Sequence, residues 1–311
     1  MGDVKLADGL ILYNGASGGL GRYLAEPLRR IQGRVHALNA RLEDQLHLEA
    51  ELAGLDAGSI VTFIHLAARV SVPACEADPV AAYSTNVELA RATAEVVVNW
   101  AQARGAAVRV VYVSTGHVYA ASRTRSRLSE DAPTAPRSVY ASTKLEAETE
   151  LADLARRRAT PLLIARVFGL LAPQQAANYV LPGIIVRVQQ GRLEAVPGLD
   201  LVRDYLDARD VCEDLVRLLV SEWHGSPAVV NVCSGSATTI RDLLHAVLLG
   251  VGRQDADEVA ASAVAIPGRP DDVDWLVGDP TRFIQITGTT PQRIPLAATV
   301  ADALTYRHSG S

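Results

Sequence analysis

The sequence predicts an α/β protein built on a doubly wound parallel sheet with helices on both faces. Short apolar runs rich in β-branched residues alternate with longer helical patterns along the first two thirds of the chain. The runs at 60–64 and 110–113 are almost continuously apolar, which is typical of strands covered on both faces. A glycine-rich segment follows the first predicted strand, where the chain turns into a helix.

The predicted elements alternate in order along the chain. Strands are expected at 10–14, 34–38, 60–66, 109–114 and 161–167, and helices at 19–31, 79–104 and 138–159. After Gly169, prolines divide the chain into shorter segments, which indicates a second, smaller lobe. We expect a first domain at 1–170 and a C-terminal lobe at 171–311. The segment at about 204–233 is expected to return to the first domain, because 229–232 again has the pattern of a buried strand.

Length and composition describe a globular, soluble protein. The 311 residues are 49% apolar and 21% charged, so material for a large core is present and disorder is excluded. The net charge of -5 is spread without a basic stripe, which argues against a nucleic-acid partner. No apolar run approaches the roughly 18 residues that cross a bilayer, and the start lacks the order of a signal peptide. We therefore expect a cytoplasmic protein without a membrane partner.

The cysteines do not indicate a disulfide framework or a metal site. Cys75, Cys212 and Cys233 are odd in number and lack the spacing of metal ligands. They are interpreted as ordinary buried thiols in a reducing compartment, and no metal ion is expected.

A glycine loop (residues 15–21) begins directly after the first predicted strand. Gly15, Gly18 and Gly21 are spaced three apart, with Ser17 between the first two. Without side chains at these positions, backbone N–H groups and the helix N-terminus can face a pyrophosphate at close range. The pattern favours a Rossmann-type dinucleotide site, although a loop made only for tight strand–helix packing has the same spacing.

The end of the second predicted strand bears on the choice of coenzyme. The acidic residue that grips the ribose of NAD in such folds is absent, and Asn39 and Arg41 follow the strand instead. An amide and a cation do not repel a 2′-phosphate, so NADP(H) is favoured over NAD(H). The alternative is that Arg41 is a solvated surface residue. Asp44 lies close enough in sequence to reach the adenine.

The sharpest chemical signal is Tyr140-Ala141-Ser142-Thr143-Lys144. Residues four apart share a helix face, so the Lys144 ammonium is expected beside the Tyr140 phenol. An adjacent cation stabilises a phenolate and lowers a pKa that is ordinarily about 10. Tyr140 is therefore predicted to exchange a proton with a substrate hydroxyl or carbonyl, although a lone motif of this kind is usually an exposed helix face.

Together the motifs resemble the extended short-chain dehydrogenase/reductase family, which comprises nucleotide-sugar epimerases, dehydratases and reductases. The resemblance covers nearly the whole chain and rests on colinear segments. Besides the glycine loop and the Tyr140 motif, these are 64–68, 85–87, 113–119, 130–136, 203–205, 210–211, 231–235 and 278–280. The resemblance implies a dinucleotide-binding domain, a substrate-binding lobe, a nicotinamide coenzyme, a nucleotide-diphosphate sugar as substrate, and a homodimer formed through the two long helices.

Carried over by position, the resemblance assigns roles to individual residues. Thr115 matches the family's catalytic Ser/Thr, Tyr140 the acid/base, and Lys144 the residue that orients the nicotinamide ribose. Near the coenzyme it implies Leu66, Ala67, Ala68 and Asn86, and against the nucleotide diphosphate it implies Asn178, Arg203 and Arg269. Arginine forks pair well with phosphate oxygens, although salt bridges at the rim are the alternative.

The sequence departs from the family pattern in three places. Asn14 replaces the common threonine before the first glycine, and Gly19-Leu20 replaces an aromatic–aliphatic pair. Gly169 replaces an asparagine that often touches the substrate, which puts the position of the sugar in question.

His117 bears on which reaction is catalysed. The 4,6-dehydratases carry an Asp-Glu pair at the positions of Gly116 and His117, so the standard 4,6-elimination is disfavoured. An imidazole with an ordinary pKa of about 6.5 could still move a proton beside a ketone or protonate a leaving hydroxyl. The alternative is that His117 only hydrogen-bonds the sugar or packs under the loop.

The segments 172–182, 198–199 and 202–205 look most like those of GDP-4-keto-6-deoxyhexose reductases. The prediction is NADPH-dependent reduction of a nucleotide-linked 4-keto-(6-deoxy)hexose. One alternative is an NAD-dependent nucleotide-sugar 4-epimerase, or a dehydratase that uses His117 as an extra acid/base. Another is a non-catalytic coenzyme-sensing protein, which the intact Thr115, Tyr140 and Lys144 disfavour.

Overall fold

The computed structural model describes residues 9–122, 124–176, 178–290 and 293–308. Within these ranges the strands are β1 (Gly9–Tyr13), β2 (Arg34–Ala37), β3 (Ile60–His65), β4 (Ala107–Thr115), β5 (Leu162–Val167), β6 (Gly169–Leu171), β7 (Ala195–Pro197), β8 (Val202–Arg203), β9 (Tyr205–Asp207), β10 (Ala228–Val232), β11 (Thr238–Thr239), β12 (Val264–Ile266) and β13 (Trp275–Leu276). The helices are α1 (Gly21–Leu28), α2 (Gln45–Ala53), α3 (Val72–Ala77), α4 (Pro79–Tyr83), α5 (Leu89–Ala103), α6 (Val139–Arg157), α7 (Val180–Gln189), α8 (Ala208–Val220), α9 (Ile240–Gly250), α10 (Ala256–Ser262), α11 (Thr281–Thr287) and α12 (Leu296–His308).

A six-stranded sheet in the order β10-β5-β4-β3-β1-β2 forms the centre of the molecule. All neighbouring strands in it run parallel. The winding reverses between β1 and β3, so the carboxyl ends of these strands open a crevice at the topological switch point, where sheets of this kind bind ligands. The predicted α/β class with a parallel Rossmann-type sheet is confirmed.

The buried faces of the sheet explain the continuous apolar runs. In β1, Ile11 belongs to the core shared with α1 and α8, whereas its neighbour Leu12 belongs to the core shared with α2 and α5. In β4, Val111 and Val110 divide between the same two cores. Successive side chains point to opposite faces, and here both faces are covered, so consecutive positions in these runs are apolar.

The long helix predicted at 79–104 is interrupted. Asp78 caps α4 by accepting a hydrogen bond from the Ala81 N–H at 3.0 Å, and a π-helical turn at Ser84–Glu88 joins α4 to α5. The π turn shifts the helical register by one residue. It contains Asn86, which lies buried beside α6.

A smaller lobe follows β6. Helices α7, α9, α10 and α12 pack around a separate apolar core that includes Leu181, Leu244 and Val247. The chain returns to the first domain through α8, which packs against α1, and β10, which pairs with β5. Helix α11 also packs on this side, against β10 and α8. The domain boundaries and the homodimer expected through the long helices stay predictions.

The cysteines lie in the interior. Cys75, Cys212 and Cys233 are free and buried, as the sequence indicated. Of the helices in the described ranges, none combines the length and the apolar character that a membrane span requires.

Candidate active site

Residues singled out from the sequence converge at the carboxyl end of the sheet. The glycine loop follows β1, residues 66–68 follow β3, and Thr115 ends β4. Tyr140 and Lys144 lie in the first two turns of α6, which packs on β4. Arg203 ends β8 and approaches from the smaller lobe. The crevice therefore lies between the sheet edge and the smaller lobe.

The glycine loop packs directly against the segment after β3. Gly15 has a φ of +70°, and a Cβ on it would lie 2.9 Å from the Ala67 backbone nitrogen. A Cβ on Gly21 would collide with the Gly15 carbonyl oxygen, which also accepts a hydrogen bond from the Gly18 N–H at 2.9 Å. Glycine is thus required at positions 15 and 21 by close backbone approach.

The start of α1 is held by the backbone of the glycine loop, since the Arg22 and Tyr23 N–H groups donate to the carbonyl oxygens of Gly18 and Leu20 at 3.2 and 3.0 Å. Among the described residues no side chain caps this helix, which begins after Leu20. Ser17 is exposed, and its carbonyl oxygen accepts a hydrogen bond from Arg22 Nε at 2.8 Å. A helix start without a side-chain cap, approached by a glycine-rich loop, suits a pyrophosphate.

Asn14, one of the departures from the family pattern, joins the ends of β1 and β3. Its Oδ1 accepts hydrogen bonds from the Leu66 and Ala67 N–H groups at 2.9 and 3.0 Å, and its Nδ2 lies 3.0 Å from His65 Nδ1. An asparagine amide can bind both groups at once because it offers a donor and an acceptor. The side chain therefore shapes the strand ends that lie under the glycine loop.

The end of β2 receives an acidic side chain from α2. Glu51 accepts hydrogen bonds from the backbone N–H groups of Asn39 and Ala40 at 3.0 and 3.1 Å, and its Oε1 lies 2.8 Å from His36 Nε2. Burial by itself raises the pKa of Glu51, but these hydrogen bonds outweigh it and the pKa is lowered. A carboxylate is therefore present at the strand end, although none belongs to the strand itself.

Arg41 and Asp44 follow on the exposed segment before α2. Arg41 is exposed and, in the described ranges, pairs with no acidic side chain. Asp44 caps α2 by accepting a hydrogen bond from the His47 N–H at 3.0 Å. Arg41 is thus available to an external anion, whereas Asp44 is engaged within the protein.

Asn86 links the coenzyme side of the crevice to α6. Its Oδ1 accepts from the Arg69 N–H at 2.7 Å, and its Nδ2 donates to the Arg69 carbonyl oxygen and to Thr143 Oγ1 at 3.1 and 3.0 Å. These bonds occupy the whole amide group. Asn86 therefore positions the segment after β3 against the helix that carries Tyr140.

Thr115 and Tyr140 place two hydroxyl groups together at the end of β4. Thr115 Oγ1 accepts a hydrogen bond from the His117 N–H at 3.2 Å. Burial raises the pKa of Tyr140 well above its ordinary value, and a hydrogen bond with Thr115 opposes this rise. The Tyr140 phenol, which keeps partial exposure in the crevice, is therefore protonated at neutral pH.

Lys144 does not act on Tyr140 as the sequence predicted. We expected the ammonium to lower the pKa of the phenol, but Lys144 Nζ donates to the Val113 carbonyl oxygen at 2.6 Å and lies 4.1 Å from the centre of the Tyr112 ring. Burial lowers the pKa of Lys144 to about 7, against the opposing effect of Glu148. The expectation was wrong for this arrangement, because the amine is directed at β4 and the phenol is desolvated.

His117 lies among charged groups of the smaller lobe. Burial lowers its pKa to about 4, and the positive charges of Arg203 and Arg269 act in the same direction, while Asp272 opposes them. The imidazole is therefore uncharged at neutral pH. The structure brings together three residues that are far apart in the sequence, His117, Arg203 and Arg269.

Asp272 pairs with both arginines. Arg203 Nη2 donates to Asp272 Oδ1 at 3.1 Å, and Arg203 Nη1 donates to the Val273 carbonyl oxygen at 2.7 Å. The Arg269 N–H donates to Asp272 Oδ2 at 2.8 Å. Arg203 is buried and Arg269 is half-exposed. Both arginines thus form salt bridges here, the arrangement that the sequence left open as the alternative to phosphate binding.

Gly169 is required by its surroundings. A Cβ on it would lie 2.8 Å from both the Asp204 carbonyl oxygen and Tyr205 Cδ1. The Gly169 N–H also donates to that carbonyl oxygen at 2.8 Å. Because β6 and β9 approach so closely, a longer side chain does not fit, which explains the absence of the asparagine that the family pattern carries.

Asn178 lies on the exposed turn before α7, and its neighbour Tyr179 faces the reacting end of the crevice. Asn178 is exposed, whereas Tyr179 is partly buried and acts electrostatically on Tyr140. Cys75 of α3 also lies close enough to influence Tyr140. The predicted contact of Asn178 with a nucleotide diphosphate stays a prediction.

Sequence reasoning missed several residues of this site. Tyr179 and Tyr205 lie in segments that carried the resemblance but were given no role, whereas nothing in the local sequence marks Glu51, Tyr112 and Asp272. Glu148 had a signal, because it lies one helical turn beyond Lys144 on the same face of α6.

This arrangement has two chemically distinct ends. At the sheet edge, a protonated phenol and a hydroxyl can donate hydrogen bonds to one oxygen atom and one of them can give up its proton. At the smaller lobe, two arginines can bind an anion if it displaces Asp272. The glycine loop follows β1 at the same edge of the sheet.

Comparison with known proteins agrees with this geometry. A family model described as the NAD dependent epimerase/dehydratase family matches residues 11–233. The chain is 33% identical to GDP-6-deoxy-D-mannose reductase of Pseudomonas aeruginosa over 191 residues, which are 58% of this chain and 60% of the reductase. The match therefore spans less than two thirds of that relative.

Two further similarities extend over most of the chain. GDP-6-deoxy-D-talose 4-dehydrogenase of Aggregatibacter actinomycetemcomitans is 24% identical over 286 residues, covering 89% of this chain and 91% of that protein. The solved structure of RMD from Pseudomonas aeruginosa complexed with NADPH is 26% identical with a TM-score of 0.78, covering 97% of this chain and 100% of that chain.

The glycine cradle generates a first prediction. Gly21→Ala should destabilise the protein by about 1–3 kcal/mol and weaken dinucleotide binding, because the new methyl group meets backbone that cannot turn aside. Gly19→Ala is the matched control, since a Cβ there meets nothing within 4 Å. Thermal unfolding and NADPH fluorescence titration measure both effects. Equal behaviour of the two variants would contradict the close packing of loop and helix.

Proposed function

The chain belongs to the NAD dependent epimerase/dehydratase family, and from this premise we propose that it reduces the C4 ketone of a nucleotide-linked 4-keto-6-deoxyhexose. It is an NAD(P)-dependent enzyme. The observation that carries the proposal is the convergence of Thr115 and Tyr140 at the end of β4, with Lys144 one turn further along α6. The similarity to a GDP-6-deoxy-D-mannose reductase supports the same reaction.

The residues at the switch point fit a dinucleotide. Gly15 and Gly21 keep the loop packed tightly against the segment after β3 and against itself, Gly19 borders open space, and no side chain caps the start of α1 in the described residues. We propose that Gly15, Ser17, Gly18 and Gly21 hold the pyrophosphate, and that residues 66–68 line the coenzyme side. When bound, the nicotinamide supplies the hydride for the carbonyl carbon.

The two hydroxyl groups act on the carbonyl oxygen. Thr115 Oγ1 accepts the His117 N–H, and its hydroxyl shares a hydrogen bond with the Tyr140 phenol; we propose that this hydroxyl turns to the carbonyl oxygen when the substrate is bound and polarises the carbonyl. Tyr140 is protonated at neutral pH, so it can give its proton to the alkoxide as negative charge develops. Reduction consumes a proton, and a phenol that is protonated at neutral pH can supply it.

Lys144 acts through its charge and position. Its pKa of about 7 leaves a substantial protonated fraction at neutral pH, held between the Val113 carbonyl and the Tyr112 ring. We propose that the ammonium orients the nicotinamide ribose and stabilises the phenolate that Tyr140 becomes after proton transfer. Such stabilisation would lower the pKa of Tyr140, an effect that burial outweighs in the arrangement described above.

The smaller lobe supplies the substrate contacts. We propose that Arg203 and Arg269 bind the nucleotide diphosphate and that Asn178 lies at the rim of this binding site. Before the substrate binds, Asp272 is hydrogen-bonded to both arginines. His117 is uncharged at neutral pH, which supports a role as a hydrogen-bond partner of the sugar over a role as a general acid.

The coenzyme preference depends on two opposed groups at the end of β2. Arg41 is exposed and can pair with a 2′-phosphate, which supports NADP(H). Glu51 places a carboxylate on the Asn39 and Ala40 N–H groups and would repel that phosphate. We propose that the attraction of the 2′-phosphate by Arg41 exceeds its repulsion by Glu51. NADPH is then the preferred reductant, and Glu51 makes the preference over NADH smaller.

Glu51 is also the observation that favours a second candidate, a 4-epimerase that reuses one NAD. A carboxylate at this strand end is the group that grips the ribose hydroxyls of NAD in Rossmann-type folds. The protonated Tyr140 supports the reductase instead, since an epimerase begins by removing a proton from the sugar hydroxyl.

Tyr140→Phe should lower the rate of NADPH oxidation with a GDP-linked 4-keto-6-deoxyhexose by about 100-fold or more, because the general acid is lost. NADPH binding should be unchanged, since the ring remains. Stopped-flow absorbance at the nicotinamide band and a fluorescence titration measure the two quantities. Turnover without added NADPH, by enzyme that retains its nicotinamide after purification, would establish the epimerase in place of the reductase.

His117→Ala should leave NADPH oxidation within about tenfold of the wild-type rate, short of the roughly 100-fold loss that accompanies removal of a general acid or base. The reason is that the neutral imidazole contributes a hydrogen bond rather than a proton. Product formed in D2O should carry no deuterium from solvent on carbon. Deuterium uptake that disappears in the variant would instead assign His117 to proton transfer at carbon.

Arg41→Ala should lower the ratio of kcat/KM for NADPH over NADH by about tenfold, because one charged hydrogen bond to the phosphate is lost. Glu51→Gln should raise the same ratio, since a repulsive charge is removed. Glu43→Gln removes an equal charge from an exposed position nearby and is the control. An unchanged ratio in Arg41→Ala would discard the phosphate contact.

A further inference from the structure

We infer that Glu148 is a positioning residue for this reaction: clamped between Ser114 and Arg166, its carboxylate supplies the buried negative charge that keeps Lys144 in the crevice as an ammonium. The inference rests on the proposed function, because it concerns the residue assigned to the coenzyme ribose. We assign Glu148 no direct contact with substrate or coenzyme. It acts through Lys144.

Three charged side chains are buried together behind the crevice. Lys144, Glu148 and Arg166 are 2%, 5% and 6% exposed. Two buried cations without an anion between them would be strongly unfavourable, since desolvation penalises each charge and their repulsion is poorly screened. Glu148 is the anion that makes this burial tolerable.

The geometry fixes the carboxylate firmly. Ser114 Oγ donates to Glu148 Oε1 at 2.5 Å, and Arg166 donates through Nε and Nη2 at 3.0 and 2.6 Å. Ser114 belongs to β4 and Arg166 to β5, so one side chain of α6 binds two neighbouring strands of the sheet. A bidentate guanidinium–carboxylate pair is the most directional form of this interaction.

Lys144 and Glu148 bind neighbouring residues of the same strand. Lys144 Nζ donates to the Val113 carbonyl oxygen, and Glu148 accepts from Ser114, the next residue. Thr115 follows directly. Two consecutive turns of α6 are therefore fastened to the strand end that carries the catalytic hydroxyl, which fixes the distance between Thr115 and Tyr140.

The other titratable groups facing Lys144 cannot replace Glu148. From β3, His65 has a pKa lowered to about 3 by burial and by Lys144 itself, so it is neutral. From β4, Tyr112 has a pKa raised by burial, and on α6 Tyr140 is likewise raised, so both phenols are neutral. Among the described groups that act on Lys144, Glu148 is the one that carries a negative charge.

The composition of the chain makes the charge of Lys144 directly measurable. Lys5 and Lys144 are its two lysines, and the other basic residues are arginines. Protein labelled with 15N and 13C in lysine alone gives two side-chain signals, which the Lys5→Arg variant assigns. A pH titration of the Lys144 signal by NMR then reports its pKa without substrate or turnover.

Glu148→Gln should lower the pKa of Lys144 by about one pH unit or more, because removing a nearby negative charge destabilises the ammonium. Arg166→Gln is the matched control, since it breaks the same ion pair but leaves the anion in place. In that variant the pKa of Lys144 should be equal to or above the wild-type value. Glu148→Asp keeps the charge and should restore the wild-type titration.

A purely structural ion pair predicts a different result. Both Gln variants would then move the pKa of Lys144 in the same direction, and that outcome would overturn the inference. If Glu148→Gln does not fold, Arg166→Gln and Glu148→Asp decide the question, since a fall in the pKa of Lys144 in either contradicts it. The titration is independent of the proposed function, whose failure would be seen in the activity of the Tyr140→Phe series.

Discussion

The contact between α6 and the carboxyl end of β4 is the constraint on which the site depends. Helix and strand are joined by apolar packing along most of their length, but at the crevice the contact becomes polar and charged. Lys144 and Glu148 bind Val113 and Ser114, so the helix cannot slide along the strand without breaking buried charged hydrogen bonds. Tyr140 lies one turn earlier on the same helix, so these hydrogen bonds also fix its position.

Burial gives this end of the crevice its chemistry. The same desolvation that raises the pKa of Tyr140 lowers the pKa of Lys144, because it disfavours whichever form is charged. The resting state thus combines a protonated phenol with an amine near its midpoint. Such a pair is prepared to give a proton to a substrate oxygen and then to stabilise the phenolate left behind.

The opposite end of the crevice is organised by charge rather than by desolvation alone. Asp272 pairs with Arg203 and Arg269, so its one negative charge offsets part of the two positive charges that act on His117. His117 lies between the two ends and responds to both, since burial and the arginines keep its imidazole neutral. A bound diphosphate would reduce the positive potential at His117, which couples substrate binding to the state of this side chain.

The sequence alone predicted the strands of the central sheet and the local residue pairs, but not α2, the interruption of the helix at 79–104 or the elements of the smaller lobe. Apolar runs predicted strands covered on both faces. Ile11 and Val111 lie in one core and Leu12 and Val110 in the other. Consecutive residues of each run are therefore buried, and the local sequence shows it. The prediction that Tyr140 and Lys144 share one helix face likewise follows from their four-residue spacing. The glycine spacing predicted a cradle whose close contacts require glycine at 15 and 21.

Only the tertiary structure decided what surrounds these residues. Glu51 reaches the end of β2 from α2, Asp272 pairs with Arg203, which is distant in the sequence, and Tyr205 closes the space beside Gly169. The direction of the Tyr140 pKa was also decided there, against the expectation from helix spacing. The physical reason is that spacing fixes which side chains share a face, whereas desolvation and charge pairing depend on every element that packs around them.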